Sequence, residues 1–159
     1  MIVMGVTGAG KTTIGELLAA QLGWGFVDAD SFHSAANKEK IHQGIALTDA
    51  DRAPWLDAMR EAIAGWIARE QNVALACSAL KSSYRQELSV SGEVKFVYLK
   101  GSYELIAMRL QSRRGHYASE SILASQFATL EEPEDAIAVD IDQSPEQIVR
   151  KVREKLRLG

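Results

Sequence analysis

Gly5-Val6-Thr7-Gly8-Ala9-Gly10-Lys11-Thr12 meets the pattern G-x-x-x-x-G-K-[ST] at every fixed position. Its glycines accept the dihedrals that turn successive N–H groups inward, and such a loop is a concave nest for an anion. A helix starting at Lys11 would aim its positive end at the same anion. In that arrangement Lys11 reaches the β- and γ-phosphates of ATP and the Thr12 hydroxyl binds Mg²⁺. Thr7, Gly8, Ala9, Gly10 and Thr13 complete the expected nucleotide-binding stretch, Thr13 by supporting the helix start. The motif leaves the acceptor open: water, a protein, a nucleotide and a metabolite all remain.

Working outward, the flanks supply the context this motif requires, an apolar strand before it and a helix after it. Residues 2–5 read as a short buried strand, and 11–22 as a helix through Ile14, Leu17, Leu18 and Leu22, stopped by Gly23. A second strand, 24–28, ends in Asp28-Ala29-Asp30. Residues 37–44 and 53–69 are predicted helical, with Pro54 in the first turn of the second, where an amide lacks a partner anyway. Strands follow at 72–77, 94–99 and 137–141, helices at 103–113 and 121–130, and a terminal helix opened by Ser144-Pro145-Glu146 with Ser144 as N-cap. Apolar runs alternating with amphipathic stretches predict an α/β fold with a parallel sheet and crossover helices. No repeat, low-complexity linker or second domain interrupts residues 1–159.

The bulk properties are those of an ordinary soluble globular chain. No apolar run approaches the roughly 20 residues of a membrane helix, and no basic leader precedes the loop, so no membrane partner and no signal peptide are expected. Cys77 is the single cysteine, which excludes an intramolecular disulfide and suits the cytoplasm. A net charge of -3 argues against a nucleic-acid partner. It also means that anionic ligands must be held by local clusters, at Lys11, Arg52, Lys81 to Arg85 and Arg109 to Arg114.

Many phosphate-loop proteins hold the metal from a second apolar strand ending in Asp, but Val73-Ala74-Leu75-Ala76-Cys77-Ser78 ends without a carboxylate. Asp28 and Asp30 are the replacement. Residues two apart at a strand end point the same way, so both carboxylates can face the nucleotide cleft. Asp30 is assigned the catalytic base and acceptor-binding role and Asp28 the metal role, with the reverse order open. The plain alternative is that the pair caps the following turn.

Ordered blocks then resemble the bacterial gluconate kinase (gluconokinase) family. They are Asp28-Ala29-Asp30-Ser31-Phe32-His33, Asn37-Lys38-Glu39-Lys40-Ile41, and the run from Leu47-Thr48-Asp49-Ala50-Asp51-Arg52 to Pro54-Trp55-Leu56. Cys77-Ser78-Ala79-Leu80-Lys81, Tyr84-Arg85, Arg113-Arg114-Gly115-His116-Tyr117, Gln126-Phe127 and Val139-Asp140-Ile141-Asp142-Gln143 continue the likeness to near the end.

The resemblance implies a shikimate-kinase-like, three-layer α/β/α fold: a five-stranded parallel sheet, an acceptor-binding helical segment at about 31–70 and a mobile lid at about 113–130. It implies ATP-dependent phosphorylation of D-gluconate at the 6-position, Mg²⁺ as cofactor and a possible homodimer. A linear polyhydroxy acid needs a cation for its carboxylate and mixed donors and acceptors for its hydroxyls. Arg52 and Arg85 are the candidates for the first, since a guanidinium grips a carboxylate through two parallel hydrogen bonds. Asp30, His33 and Gln126 are the candidates for the second, and Lys81 stands near either role or simply begins a helix. Trp55 reads as a packing anchor, Cys77 as a core residue and His42 as a surface residue.

Arg109 and Arg113, four apart, share a helix face. One of them is expected to contact the phosphates as the lid closes and excludes water, with Arg113 the catalytic candidate. The loop Asp140-Ile141-Asp142-Gln143-Ser144-Pro145 is expected to lie against adenine. Other readings are a shikimate or other sugar-acid kinase, a nucleoside monophosphate kinase, and a non-catalytic nucleotide-binding regulatory protein. The last has no need of an acceptor-site base such as Asp30, and a turnover assay over several acceptors separates the rest.

Overall fold

Five strands, β1 (Ile2–Met4), β2 (Gly25–Asp28), β3 (Val73–Ala76), β4 (Phe96–Lys100) and β5 (Ile137–Asp140), form one sheet in the computed structural model. The structure describes residues 1–112 and 120–157. Every pairing is parallel and the order is β2-β3-β1-β4-β5. Seven helices connect and follow the described strands: α1 (Lys11–Leu22), α2 (Ala35–His42), α3 (Asp49–Ala68), α4 (Ser82–Leu88), α5 (Tyr103–Gln111), α6 (Glu120–Thr129) and α7 (Pro145–Leu156). A 3₁₀ turn, Ala29–Phe32, follows β2 directly.

The period-two alternation of strand side chains divides the core between two faces. Val3, Val97, Leu99 and Val139 pack with Ile14 and Leu18 of α1, Ile106 of α5, Leu123 of α6, and Ile148, Val149 and Val152 of α7. Ile2, Met4, Leu75 and Tyr98 point the other way, onto Trp55, Leu56, Met59 and Ile63 of α3 and Leu88 of α4. The result is a sheet sandwiched between two helical layers, the predicted architecture. Among the described residues, no helix is long and apolar enough to cross a membrane.

The main departure from the predicted elements is α3, which begins at Asp49 rather than at residue 53. Thr48 and Asp51 form a capping box: the Asp51 amide donates to Thr48 Oγ1 at 3.1 Å, and the Thr48 amide to Asp51 Oδ2 at 3.0 Å. That reciprocal pair stabilises a helix start by about 0.5–2 kcal/mol and carries the helix a turn upstream. Pro54 is therefore inside the helix, not in its first turn as predicted. Helix α4 starts directly after Lys81, its N-cap, as one of the readings offered for that residue had it, while the 3₁₀ turn was not predicted as an element. Ser144 caps α7 as expected, its hydroxyl accepting from the Gln147 amide. Helix α5 ends at Gln111, and Arg113 and Arg114 lie outside the described residues.

Candidate active site

β1 sits between β3 and β4, while the chain leaving it runs through α1 to the edge strand β2. The connections therefore diverge at the carboxyl end of β1, where open parallel sheets form their ligand crevice. Residues 5–10 fill that point. Gly8 (φ 80°) and Gly10 (φ 97°) adopt left-handed backbone, and a Cβ on Gly8 would come within 3.0 Å of Leu110. A Cβ on Gly10 would meet no atom within 4 Å, so its left-handed backbone rather than crowding selects glycine there. Helix α1 starts at Lys11 with no side-chain cap, whereas hydroxyls cap α2, α3, α5 and α7. Its first amides are left for a ligand. This cradle fits the phosphates of a nucleotide.

Lys11 Nζ donates to Val6 O at 3.0 Å, curling back over the loop. Burial holds its pKa below the ordinary lysine range, while nearby Cys77, Asp30 and Asp28 pull it upward. Both carboxylates thus lie close enough to Lys11 to act on its charge. Asp28 ends β2 and also caps the 3₁₀ turn: its Oδ1 accepts from the Asp30 amide at 2.9 Å. The capping alternative is realised for Asp28, and one carboxylate oxygen is still without a bond to the turn. Thr12 and Asp28 are the residues that could hold Mg²⁺, an ion that keeps several waters and asks for few protein ligands. Among the described residues there is no group of three or more His, Cys, Asp or Glu that could hold a metal alone.

The enclosing protein pushes the Asp30 carboxyl above the usual carboxylate range, Asp28 adds to the rise, and His33, Lys11 and Lys38 oppose it. Cys77, raised to about 12 by burial, is a neutral core thiol, as expected.

The turn carrying Asp30 is held from α3. Trp55 Nε1 donates to Ala29 O at 2.8 Å, and the His33 ring stacks on Trp55 with centroids 4.5 Å apart and planes within 8°. Trp55 is the anchor the sequence suggested. His33 is buried rather than solvated, beside Asn37, whose Nδ2 lies 3.3 Å from His33 Nδ1.

A second cluster joins the starts of α3 and α4. Tyr84 OH donates a short hydrogen bond to Asp49 Oδ1, and Lys81 Nζ reaches the same oxygen at 3.1 Å. Arg52 Nη1 donates to Tyr84 OH at 3.3 Å. Arg52 and Lys81, predicted separately, are thus brought to one phenol. Asp49 and Tyr84 were in the blocks quoted above but had been given no role. Their signal was available: an acid and a tyrosine within three residues of two candidate cations.

Arg85 is placed differently from its expected role. Its Nη1 donates to Ala79 O and Leu80 O at 2.7 and 3.2 Å, and its Nη2 to Glu131 O at 2.7 Å. Glu131 Oε1 in turn accepts from the Ser82 amide at 3.0 Å, capping α4 from across the chain. Together they orient the helix that bears Lys81 and Tyr84.

Gln126 of α6 does not stand among these groups. Its Oε1 accepts from the Thr7 amide at 2.6 Å, which sets α6 over the phosphate loop. Arg109 Nη2 donates to Ile141 O at 2.6 Å, beside the loop expected against adenine rather than at residues 5–10.

The family model for shikimate kinase matches residues 7–157. The chain is 42% identical to the gluconokinase of Gluconobacter oxydans, covering 96% of this chain and 88% of that protein. It is 38% identical to the thermoresistant gluconokinase of Escherichia coli, covering 99% and 93%. A gluconokinase structure from Sinorhizobium meliloti superposes with a TM-score of 0.86 at 39% identity, covering 98% of this chain and 94% of that one. With a phosphate loop at the switch point and likeness along its whole length, this chain belongs to the gluconokinase family of small P-loop kinases, shikimate-kinase-like in fold.

Proposed function

We propose that this kinase transfers the γ-phosphoryl of ATP to the 6-hydroxyl of D-gluconate. The observation that carries the reading is the convergence of a phosphate cradle, a basic carboxylate at Asp30, and the Arg52–Tyr84–Lys81 cluster, in a chain about 40% identical to gluconokinases. Bound ATP with Mg²⁺ supplies the electrophilic phosphorus and neutralises the phosphate charge.

The amides of residues 8–12 orient the phosphates, and Lys11 leaves Val6 O to meet the β- and γ-oxygens. Thr12 would hold Mg²⁺, and Asp28 would support the ion through water. Asp30 accepts the proton of the attacking hydroxyl as the new O–P bond forms and the bond to ADP breaks. Its raised pKa brings it closer to the task, because a base works best near the operating pH. Arg52 and Lys81 receive the acceptor's carboxylate, exchanging their present partners Tyr84 and Asp49 for it. His33 reads a hydroxyl.

Arg85 serves the acceptor by fixing α4, and Gln126 by seating α6 on Thr7. Arg109 borders the base. Arg113, from the lid segment, supplies a further cation to the transferred group. Positioning and charge stabilisation are the main levers of phosphoryl transfer, and these residues provide both.

The test is the product. With ATP, Mg²⁺ and D-gluconate, ³¹P NMR should show a phosphomonoester whose phosphorus couples to the two protons of a CH₂ group. Coupling to a single proton would move the transfer to a secondary hydroxyl. Inorganic phosphate alone would remove D-gluconate as acceptor.

A further inference from the structure

Asn37 is one of two buried polar side chains among the described residues; the other is His33, also 8% exposed. The orientation of its amide is settled by chemistry. Asn37 Nδ2 lies 2.8 Å from Asp51 O, a carbonyl that only accepts, so the nitrogen and not the oxygen must face it. The same NH₂ group has its second hydrogen for His33 Nδ1 at 3.3 Å. A donor-only nitrogen facing Nδ1 requires a lone pair there, which puts the ring proton on Nε2.

His33 Nε2 makes no hydrogen bond within the described structure. No buried side-chain nitrogen or oxygen there lacks a partner, so Nε2 is the edge of this ring that opens to solvent. Trp55 covers one face of the ring and Asn37 the Nδ1 edge. Burial lowers the His33 pKa. The charges facing it are Asp30 from the 3₁₀ turn, which opposes the fall, and Arg52 of α3 and Lys38 of α2, which add to it.

We propose that Asn37 is a positioning residue that locks His33 in the Nε2–H tautomer, so that His33 offers the acceptor a single N–H donor and no lone pair. A hydroxyl oxygen is then held by His33 while its neighbour Asp30 alone takes a proton, and the two cannot exchange roles. This rests on the acceptor site proposed above. The ligand chemistry it selects is a hydroxyl or carbonyl oxygen, not a group that must itself donate.

The experiment is a long-range ¹H–¹⁵N correlation spectrum of ¹⁵N-labelled protein carrying His42→Gln and His116→Gln, which leaves His33 as the sole histidine. At pH 7 the wild-type environment should give the Nε2–H pattern, and Asn37→Ala should give a mixture. Asn37→Ala should also raise KM for D-gluconate about ten-fold, the scale of one lost buried hydrogen bond, with KM for ATP unchanged. An Nδ1–H or imidazolium pattern without the Asn37 substitution would overturn the proposal even if Asn37→Ala fails to fold. So would an unmoved tautomer in folded Asn37→Ala, or KM values that rise alike for both substrates. The spectrum is read without substrate, so failure to phosphorylate D-gluconate would strike the acceptor assignment and leave the tautomer result standing.

Discussion

The two halves of this site are built from different materials. The nucleotide half is mostly backbone: a left-handed glycine loop and the uncapped start of α1, contiguous over residues 5–12. The proposed acceptor half is side chains, drawn from the turn after β2, from α2, from α3 and from α4. Backbone geometry is set by local glycines and tolerates change in the variable positions of the motif. A side-chain pocket depends on several helices being held at the right angle, so its supports matter as much as its walls. Trp55 on Ala29 O and Glu131 on the Ser82 amide are such supports.

The sharpest break in this comparison is Asp30→Asn. Removing the base while keeping the shape should lower kcat about 10²–10⁴-fold, with the Kd for ATP little changed; an unaltered kcat would pass the role to Asp28 or to solvent. The same residue should set the pH behaviour. A carboxyl raised above its ordinary value becomes protonated, and unable to accept, at a higher pH than a free aspartate. The acid limb of kcat/KM for gluconate should therefore fall above the usual aspartate value of about 4, and the Asp30→Asn variant should lose it.

Lys11→Ala tests the one charged side chain of the backbone half. Loss of a preorganised cation should lower kcat about 10²–10³-fold or more; near-normal turnover would remove the loop from catalysis. Arg52→Ala should act on the other half only, raising KM for gluconate about ten- to a hundred-fold, as for a lost charged hydrogen bond, with KM for ATP steady. A rise in KM for ATP alone would take Arg52 out of the acceptor site. The smallest effect expected is that of Thr48→Ala, which opens the capping box and should cost about 1 kcal/mol in urea unfolding. An unchanged midpoint would mean the α3 start is held by its packing alone.

The same contrast explains what could be read in advance. The phosphate loop, α1 and the sheet with its crossovers were legible because each is coded by neighbouring residues: fixed glycine spacing, apolar strands and helical periodicity. Arg52, Lys81 and His33 were singled out by residue type and by resemblance, but their partners Tyr84, Asp49 and Asn37 were not. Those pairings span up to 35 residues in sequence and exist only once α3 and α4 are packed on the sheet. Arg85 and Gln126 show the complementary difficulty. A guanidinium or amide suited to a ligand is equally suited to a backbone carbonyl or amide, and only the fold decides which it meets. The early start of α3 follows from the Thr48–Asp51 pair, a local signal outweighed in the sequence reading by Pro54.

The measurement closest to the centre of this account is ADP release with ATP and Mg²⁺ over D-gluconate, related sugar acids, shikimate, nucleoside monophosphates and no acceptor. The account predicts selective turnover with D-gluconate that is lost in Lys11→Ala. Selective turnover with shikimate or a nucleotide, or none above the acceptor-free rate from folded, ATP-binding protein, would contradict it.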